Sequence, residues 1–205
     1  MVRYQGGATV EVDDEPDPVA PDAVQHDIAD LPDETLAFLL PSRYCEVDGE
    51  LMQVAWDRFG GLAPGWGRVQ AVCDFVHEWL TFDYQQARPT RTALDAYRER
   101  VGVCRDFTHL FVTLCRCLNI PARYVAGYLG DIGVPPDPAP MDFSAWARVF
   151  LGGQWHTFDP RHNERRIGRV LMAQGRDATD IAVVTVFGPQ WLHRFDVVTE
   201  EQSPS

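Results

Sequence analysis

The sequence predicts an α+β domain, because a helical half is followed by a half with the periodicity of strands. In the helical half, apolar residues recur at the 3.6-residue spacing of a helix that is buried along one face. The clearest stripe lies in residues 104–118 and consists of Phe107, Leu110, Phe111, Leu114 and Leu118. In the second half, short segments rich in β-branched and aromatic residues are bounded by glycine or proline. We therefore expect N-terminal helices that pack on an antiparallel sheet.

Individual elements follow from the same patterns. A short apolar element at 35–40 comes first, and residues 66–82 are predicted to be a helix that follows the break at Pro64-Gly65. Residues 92–97 are predicted to be a shorter helix with a threonine cap. The tight turn Gly152-Gly153 indicates a hairpin. The predicted strands are 123–129, 144–151, 154–158 and 181–187.

The N-terminal residues differ in composition from the rest of the chain. Between Tyr4 and Ser42 the chain has no lysine or arginine, while acidic residues and prolines are frequent. Such a stretch cannot bury enough apolar surface to fold alone. We therefore predict that residues 1–28 are an acidic segment that is extended or mobile. Residues 29–200 are predicted to form a single domain, since 205 residues suffice for one well-buried core.

Composition excludes several classes of function. The net charge of −12 argues against nucleic acid and against an anionic membrane as partner. No apolar run approaches the roughly 20 residues that span a bilayer, and the first residues lack the pattern of a signal peptide. Five cysteines without zinc-like spacing favour a reducing compartment. We therefore expect a cytoplasmic protein without a metal site or a cofactor.

Cys104 is the candidate nucleophile. It is predicted to stand at the N-terminus of the 104–118 helix, where the helix dipole and the unpaired amide N–H groups stabilise a thiolate. The same N–H groups are able to bind an oxyanion. Two strand-like segments follow, and the second ends in Asp159-Pro160. This order is typical of a thiol-nucleophile site.

Four segments together resemble the bacterial transglutaminase-like proteins. They are residues 102–110 (GVCRDFTHL), 119–128 (NIPARYVAGY), 141–146 (MDFSAW) and 152–163 (GGQWHTFDPRHN). The resemblance implies a papain-like core with a Cys-His-Asp triad. It also implies acyl transfer from the amides of a peptide or protein, either to water or to an amine.

Carried over by position, the resemblance makes Cys104 the nucleophile and Asp159 the orienting carboxylate. The family histidine falls on Ser144, and an acidic residue usual shortly after it falls on Arg148. A serine hydroxyl does not titrate near neutral pH, so Ser144 cannot act as the base. The sequence therefore predicts a degraded triad with weak catalysis or none, and it leaves open whether the protein is an enzyme or a pseudoenzyme.

Three other histidines are candidate replacements for the base that is missing at position 144. His109 is rotated by about 140° from Cys104 on the helix, and His156 points to the opposite strand face from Asp159. His162 follows Asp159 across Pro160 and is the remaining candidate.

Two alternatives to the degraded site remain open. One is an active cysteine hydrolase or acyltransferase in which His162, a water or a partner is the base. The other is a non-catalytic binding or structural module. Tyr84 is a candidate oxyanion donor, and a cluster of arginines is expected to pair with local carboxylates: Arg161, Arg165, Arg166 and Arg169.

Overall fold

The computed structural model describes residues 3, 5–12, 14–137 and 141–202. The helices are α1 (Asp33–Leu36), α2 (Glu50–Phe59), α3 (Trp66–Trp79), α4 (Ala93–Glu99) and α5 (Cys104–Cys117). The strands are β1 (Thr81–Phe82), β2 (Val101–Gly102), β3 (Ala122–Leu129), β4 (Ser144–Leu151), β5 (Gln154–Phe158) and β6 (Arg169–Gly175). No helix in these ranges has the length and apolar character needed to cross a membrane.

A four-stranded antiparallel sheet with the order β5-β4-β3-β6 forms one layer, and the helices form the other. Helix α5 lies between the layers, where it packs on β3 and β4 and on α2, α3 and α4. Its residues from Asp106 to Cys117 are all buried, including the predicted apolar stripe. The α+β class and the helices-on-sheet arrangement are therefore confirmed.

Helix α5 begins where a small parallel ladder ends. Strands β1 and β2 pair Phe82 with Gly102, two residues before Cys104. A Cβ atom at Gly102 would lie 2.6 Å from Cβ of Asp106 and 2.8 Å from its Oδ2. Gly102 therefore allows the Asp106 carboxylate to pack against the backbone that leads into the helix.

Most of the longer elements agree with the sequence predictions. The short strands β1 and β2 were not predicted, and β1 lies inside the predicted 66–82 helix, which ends at Trp79. Strands β4 and β5 have the predicted bounds. Helix α2 and strand β6 were not predicted. The predicted strand at 181–187 is wrong, because this segment is irregular and its valines and Phe187 are exposed. The strand that pairs with β3 at the edge of the sheet is β6. Much of β6 is exposed to solvent, so its apolar pattern is too weak to indicate a strand.

In the acidic N-terminal segment, residues 14–27 form no helix or strand and lead to a 3-10 turn at Ile28–Asp30. Backbone hydrogen bonds join Ala23 O to the N–H of Trp66 and Val24 O to the N–H of Gly152. The side chain of Gln25 donates to Leu118 O over 2.9 Å. Residues 1, 2, 4 and 13 of this predicted segment lie outside the described residues. Its mobility stays a prediction.

We predict that Gly102→Ala lowers the free energy of unfolding by about 1–3 kcal/mol, since the new methyl group overlaps a buried side chain. Urea denaturation followed by circular dichroism measures the change. The control is Gly67→Ala in α3, where a Cβ meets nothing within 4 Å and helix propensity favours alanine. Equal stability of the two variants would contradict the close packing of Gly102 on Asp106.

Candidate active site

The start of helix α5 is held by a buried carboxylate. Asp106 is fully buried, and its Oδ2 accepts hydrogen bonds from the N–H of Val103 over 3.0 Å and from Arg91 over 3.1 Å. Its Oδ1 accepts from the Arg105 guanidinium over 2.9 Å. An acidic side chain at this position of the first turn satisfies an orphan N–H and complements the helix dipole. Asp106 therefore fixes the backbone that carries Cys104.

The thiol of Cys104 faces the backbone at the start of β4, where the pairing with β5 has ended. Its Sγ lies 3.8 Å from Phe143 O and accepts a hydrogen bond from the N–H of Ala145. These two backbone groups are available because the pairing of β4 with β5 ends at Ala147 and Phe158. None of the described histidine rings forms a hydrogen bond with Sγ. The thiol therefore contacts the backbone groups of the two residues that flank Ser144.

Burial raises the pKa of the Cys104 thiol, and the nearby charge of Arg161 and the N–H of Ala145 lower it in part. Burial has the largest effect, because an anion is poorly solvated away from water. The ordinary pKa of a cysteine already lies above neutral pH. The resting group is therefore a thiol, and its use as a nucleophile requires a base.

Asp159 is buried directly after β5 and accepts four hydrogen bonds. Its Oδ1 receives the backbone N–H groups of Arg161 and His162, each over 3.1 Å. Its Oδ2 receives Nδ1 of His162 and the guanidinium of Arg169, each over 2.9 Å. Burial alone raises the pKa of this carboxyl, but the His162 hydrogen bond and the charge of Arg169 outweigh it and hold the pKa below its usual range. Asp159 is therefore an anion at neutral pH.

The sequence left the position of His162 open, and the structure places its ring on Asp159. An ionised carboxylate only accepts hydrogen bonds, so Nδ1 of His162 is the donor. In the neutral ring this leaves the lone pair on Nε2, which is the tautomer of a general base. His162 therefore has the partner and the tautomer that the family histidine needs, although it comes from a loop and not from β4.

A cleft brings His162 and Ser144 to one surface. The side chains of Tyr84 and Arg161 line it as well. The guanidinium of Arg161 stacks on Phe82, with 3.8 Å from its Cζ to the ring centroid. Loop residues complete the rim: Leu129, Asp131, Asp137, Met141, Asp142 and Arg166. The cleft therefore contains the candidate base His162, Ser144 at the family histidine position, and the candidate oxyanion donor Tyr84.

The other histidines considered from the sequence lie elsewhere. His109 is fully buried between the rings of Tyr44 and Tyr124, each 4.9 Å away, and burial lowers its pKa to about 3. His156 is buried against Trp66 and forms a hydrogen bond with Leu151 O. The exclusion of both as bases is confirmed.

Arg148 shares the strand face of Ser144, but its guanidinium donates to Trp155 O over 3.1 Å. It is absent from the described residues that line the cleft. The guanidinium of Arg148 therefore binds the β4-β5 hairpin and not the groups that line the cleft.

Several groups that shape the Asp159 loop were not identified from the sequence. His77 on α3 forms a hydrogen bond with Arg161 O over 2.9 Å. Asn163 adopts a positive φ of 52° and donates to Asp74 over 2.9 Å. These contacts connect α3 to a loop 80 or more residues away in sequence, so no local pattern indicates them. Asn at the end of DPRHN was the only available signal, since asparagine tolerates positive φ.

Within the described ranges, no three histidine, cysteine, aspartate or glutamate side chains are placed to hold a metal ion. The arrangement therefore consists of a thiol, a carboxylate, an imidazole and hydrogen-bond donors. These groups are the ones that thiol-based acyl transfer uses.

We predict that Asp159→Asn lowers the free energy of unfolding by about 2–4 kcal/mol at pH 7, because Arg169 and His162 lose a buried anion. The folded-state pKa of Asp159 is depressed. Its stabilisation is therefore present above the unfolded pKa of about 4 and is lost as the pH falls further. Urea denaturation at pH 7 and pH 3 should show the gap between wild type and variant closing in acid. The exposed Asp22→Asn is the control, and a gap independent of pH would contradict the assignment.

Comparison with known proteins places the fold in a family. The model of the transglutaminase-like superfamily matches residues 57–160, about half of the chain. A crystal structure of a candidate cysteine protease from Cytophaga hutchinsonii aligns with a TM-score of 0.72 and 37% identity, over 80% of this chain and 55% of that one. Protein ML0607 of Mycobacterium leprae (strain TN) is 34% identical over 113 residues, which are 53% of this chain and 40% of the relative.

The periplasmic domain of TgpA from Pseudomonas aeruginosa, solved with bound ethylmercury, aligns with a TM-score of 0.43 and 22% identity over 55% of this chain and 44% of that one. This chain thus spans about half of the length of the relatives it matches, or less. The matched region runs from α2 through α5, β3, β4 and β5 to the residue after Asp159. The chain belongs to the transglutaminase-like superfamily.

Proposed function

We propose that the chain is a cysteine-dependent acyl-transfer enzyme in which His162 replaces the histidine that the family has at position 144. The observation that carries the proposal is the 2.9 Å hydrogen bond between Nδ1 of His162 and Oδ2 of Asp159. That bond is the one that orients the imidazole in a Cys-His-Asp triad. The predicted degraded triad is thereby replaced by a triad with a relocated base.

The exchange of positions is sterically consistent. Ser144 has a small side chain, is 8% exposed and lines the same cleft as His162. We therefore expect a histidine ring at position 144 to enter this cleft. Asp159 offers Oδ2 to His162 from the loop side. Because this oxygen binds one imidazole ring at a time, the proposal requires a histidine at position 162 or at position 144, but not at both.

The proposed reaction starts with transfer of the Cys104 proton to Nε2 of His162. The thiolate attacks the carbonyl carbon of an amide, and the oxygen becomes an oxyanion near the N-terminus of α5. The imidazolium of His162 then returns the proton to the leaving amine as the C–N bond breaks. A thioester remains on Cys104, and water or a second amine resolves it after His162 removes one of its protons.

Proton transfer requires the His162 ring to approach Sγ, which in this state contacts Phe143 O and Ala145. Catalytic hydrogen bonds are commonly long in the absence of substrate and shorten in the substrate complex. The backbone of His162 is bound by Asp159, so the proposed approach is a movement of its side chain, which is 24% exposed.

The proposed substrates are amides of a peptide or protein, and the acceptor is water or an amine, in the cytoplasm. The chain contains no lysine among its 18 basic residues. An amine acceptor with a lysine side chain must therefore come from outside these 205 residues.

A non-catalytic binding module is the second candidate. It is favoured by the raised pKa of the Cys104 thiol and by Sγ contacting only backbone groups. In that case the cleft binds a peptide without turnover, and Cys104 reacts no faster than an ordinary buried cysteine. Chemical reactivity of Cys104 separates the two candidates.

We predict that His162→Gln slows the alkylation of Cys104 by iodoacetamide at pH 6 by about 100-fold or more, since the thiol loses its base. Mass spectrometry locates the label, and the other four cysteines are buried. The control is His193→Gln, an exposed histidine outside the cleft. If the wild type reacts slowly and His162→Gln reacts at the same rate, the second candidate holds and the proposed enzyme does not.

We also predict that Ser144→His restores alkylation in the His162→Gln background to within about tenfold of wild type. The added ring would lie at the family position next to Asp159, which His162 has vacated. The single variant Ser144→His should be less active than this double variant, because two rings then compete for one carboxylate. If the double variant is alkylated as slowly as His162→Gln alone, a histidine at position 144 does not reach the thiol.

A further inference from the structure

We propose that Asp17, in the acidic N-terminal segment, is a positioning residue of the active site that offsets the charge of Arg169 beside Asp159 and His162. The proposal rests on the role of His162 as the base given above. It assigns a function to a segment whose role is not indicated by composition or motif.

The contacts form one continuous chain of hydrogen bonds. Oδ2 of Asp17 accepts from Nε of Arg169 over 2.8 Å, and the same guanidinium donates to Oδ2 of Asp159 over 2.9 Å. That Oδ2 atom also binds the ring of His162 over 2.9 Å. The side chains of Arg169 and Asp159 are 8% and 3% exposed, so solvent screens this chain weakly.

The backbone also holds Asp17 in this position. Its N–H donates to Arg166 O over 3.1 Å, and its Oδ2 receives the N–H of Arg166 over 3.2 Å. Arg165 donates to the carbonyls of Pro16 and Asp17. The predicted pairing of this arginine cluster with carboxylates is thus confirmed for Arg169, and its main partner beyond Asp159 is the N-terminal segment.

Charge balance gives Asp17 its effect. Asp159 stabilises a protonated His162, but Arg169 lies on the same oxygen and neutralises it. The charges of Asp17, Asp159 and Arg169 sum to −1, and the sum becomes zero when His162 accepts a proton. Without Asp17, the group would go from neutral to positive. A low-dielectric site disfavours the second change.

The other charged residues that line the cleft with His162 are Asp131, Asp137, Asp142, Arg161 and Arg166. Asp131 pairs with Arg166 over 3.9 Å and accepts a hydrogen bond from the N–H of Asp137. Asp74 on α3 is separated from the ring by Asn163, which it binds. Asp142 and Arg161 act on Cys104 with opposite effects on its pKa. The buried Cys73 on α3 has a pKa well above the usual value, so it is neutral. Asp17 is therefore the carboxylate in direct contact with Arg169 apart from Asp159.

The experiment compares Asp17→Asn, Arg169→Met and the double variant in the full chain. In Asp17→Asn, the NMR titration of the His162 ring should move to lower pH by about one unit, and alkylation of Cys104 at pH 6 should slow about tenfold. Removing the cation as well should return both quantities to within about threefold of wild type. Asp17→Glu keeps the charge and should stay close to wild type, and the exposed Asp22→Asn serves as the matched control.

Two results would overturn the proposal. One is an unshifted His162 titration in Asp17→Asn. The other is a double variant that is no better than Asp17→Asn, which would mean that Asp17 only anchors the segment. Failure of the proposed function would appear differently, as His162→Gln reacting like wild type, and the ring titration would still decide the role of Asp17.

Discussion

A carboxylate that is removed from water must be surrounded by donors or lose its charge, and Asp159 is surrounded by four. Two of these donors are backbone N–H groups of the loop that follows it. Asp159 therefore curls residues 160–163 around itself and places the ring of His162 on its own Oδ2. The same carboxylate that orients the proposed base thus also shapes the loop that delivers it.

A second buried carboxylate, that of Asp106, anchors the helix that carries Cys104. Asp106 caps helix α5, binds Arg91, and packs against Gly102 at a separation that only glycine permits. The helix is then enclosed by the sheet on one side and by α2, α3 and α4 on the other. Because the helix is enclosed on both sides, packing sets the position of Cys104, whereas the Asp159 carboxylate sets the position of His162.

The acidic composition of the chain acquires a local meaning in this arrangement. A net charge of −12 suggests a solvated acidic tail when it is considered as a total. One of those carboxylates, Asp17, instead contacts the guanidinium that would otherwise neutralise Asp159. The N-terminal segment thereby connects to the site. Under the proposed role of Asp17, docking of this segment and protonation of His162 are thermodynamically linked.

The sequence by itself determined the α+β class, the bounds of β4 and β5, the helix that begins at Cys104 and the family. These features depend on periodicity and on short motifs, which are local properties of the chain. It also excluded His109 and His156 correctly, since helical rotation and strand alternation are local rules. Strand β6 was missed because its apolar pattern is weak. Helix α2 was missed although its buried residues Leu51, Ala55 and Phe59 recur at helical spacing.

Only the tertiary structure decided that His162 lies on Asp159 and that Asp17 and Arg169 complete the group. Pro160 and the positive φ of Asn163 bend the loop in a way that no periodicity encodes. Arg169 and Asp17 approach it from a sheet edge and from the far N-terminus. Contacts between segments so distant in sequence arise from packing and from the need to neutralise a buried charge.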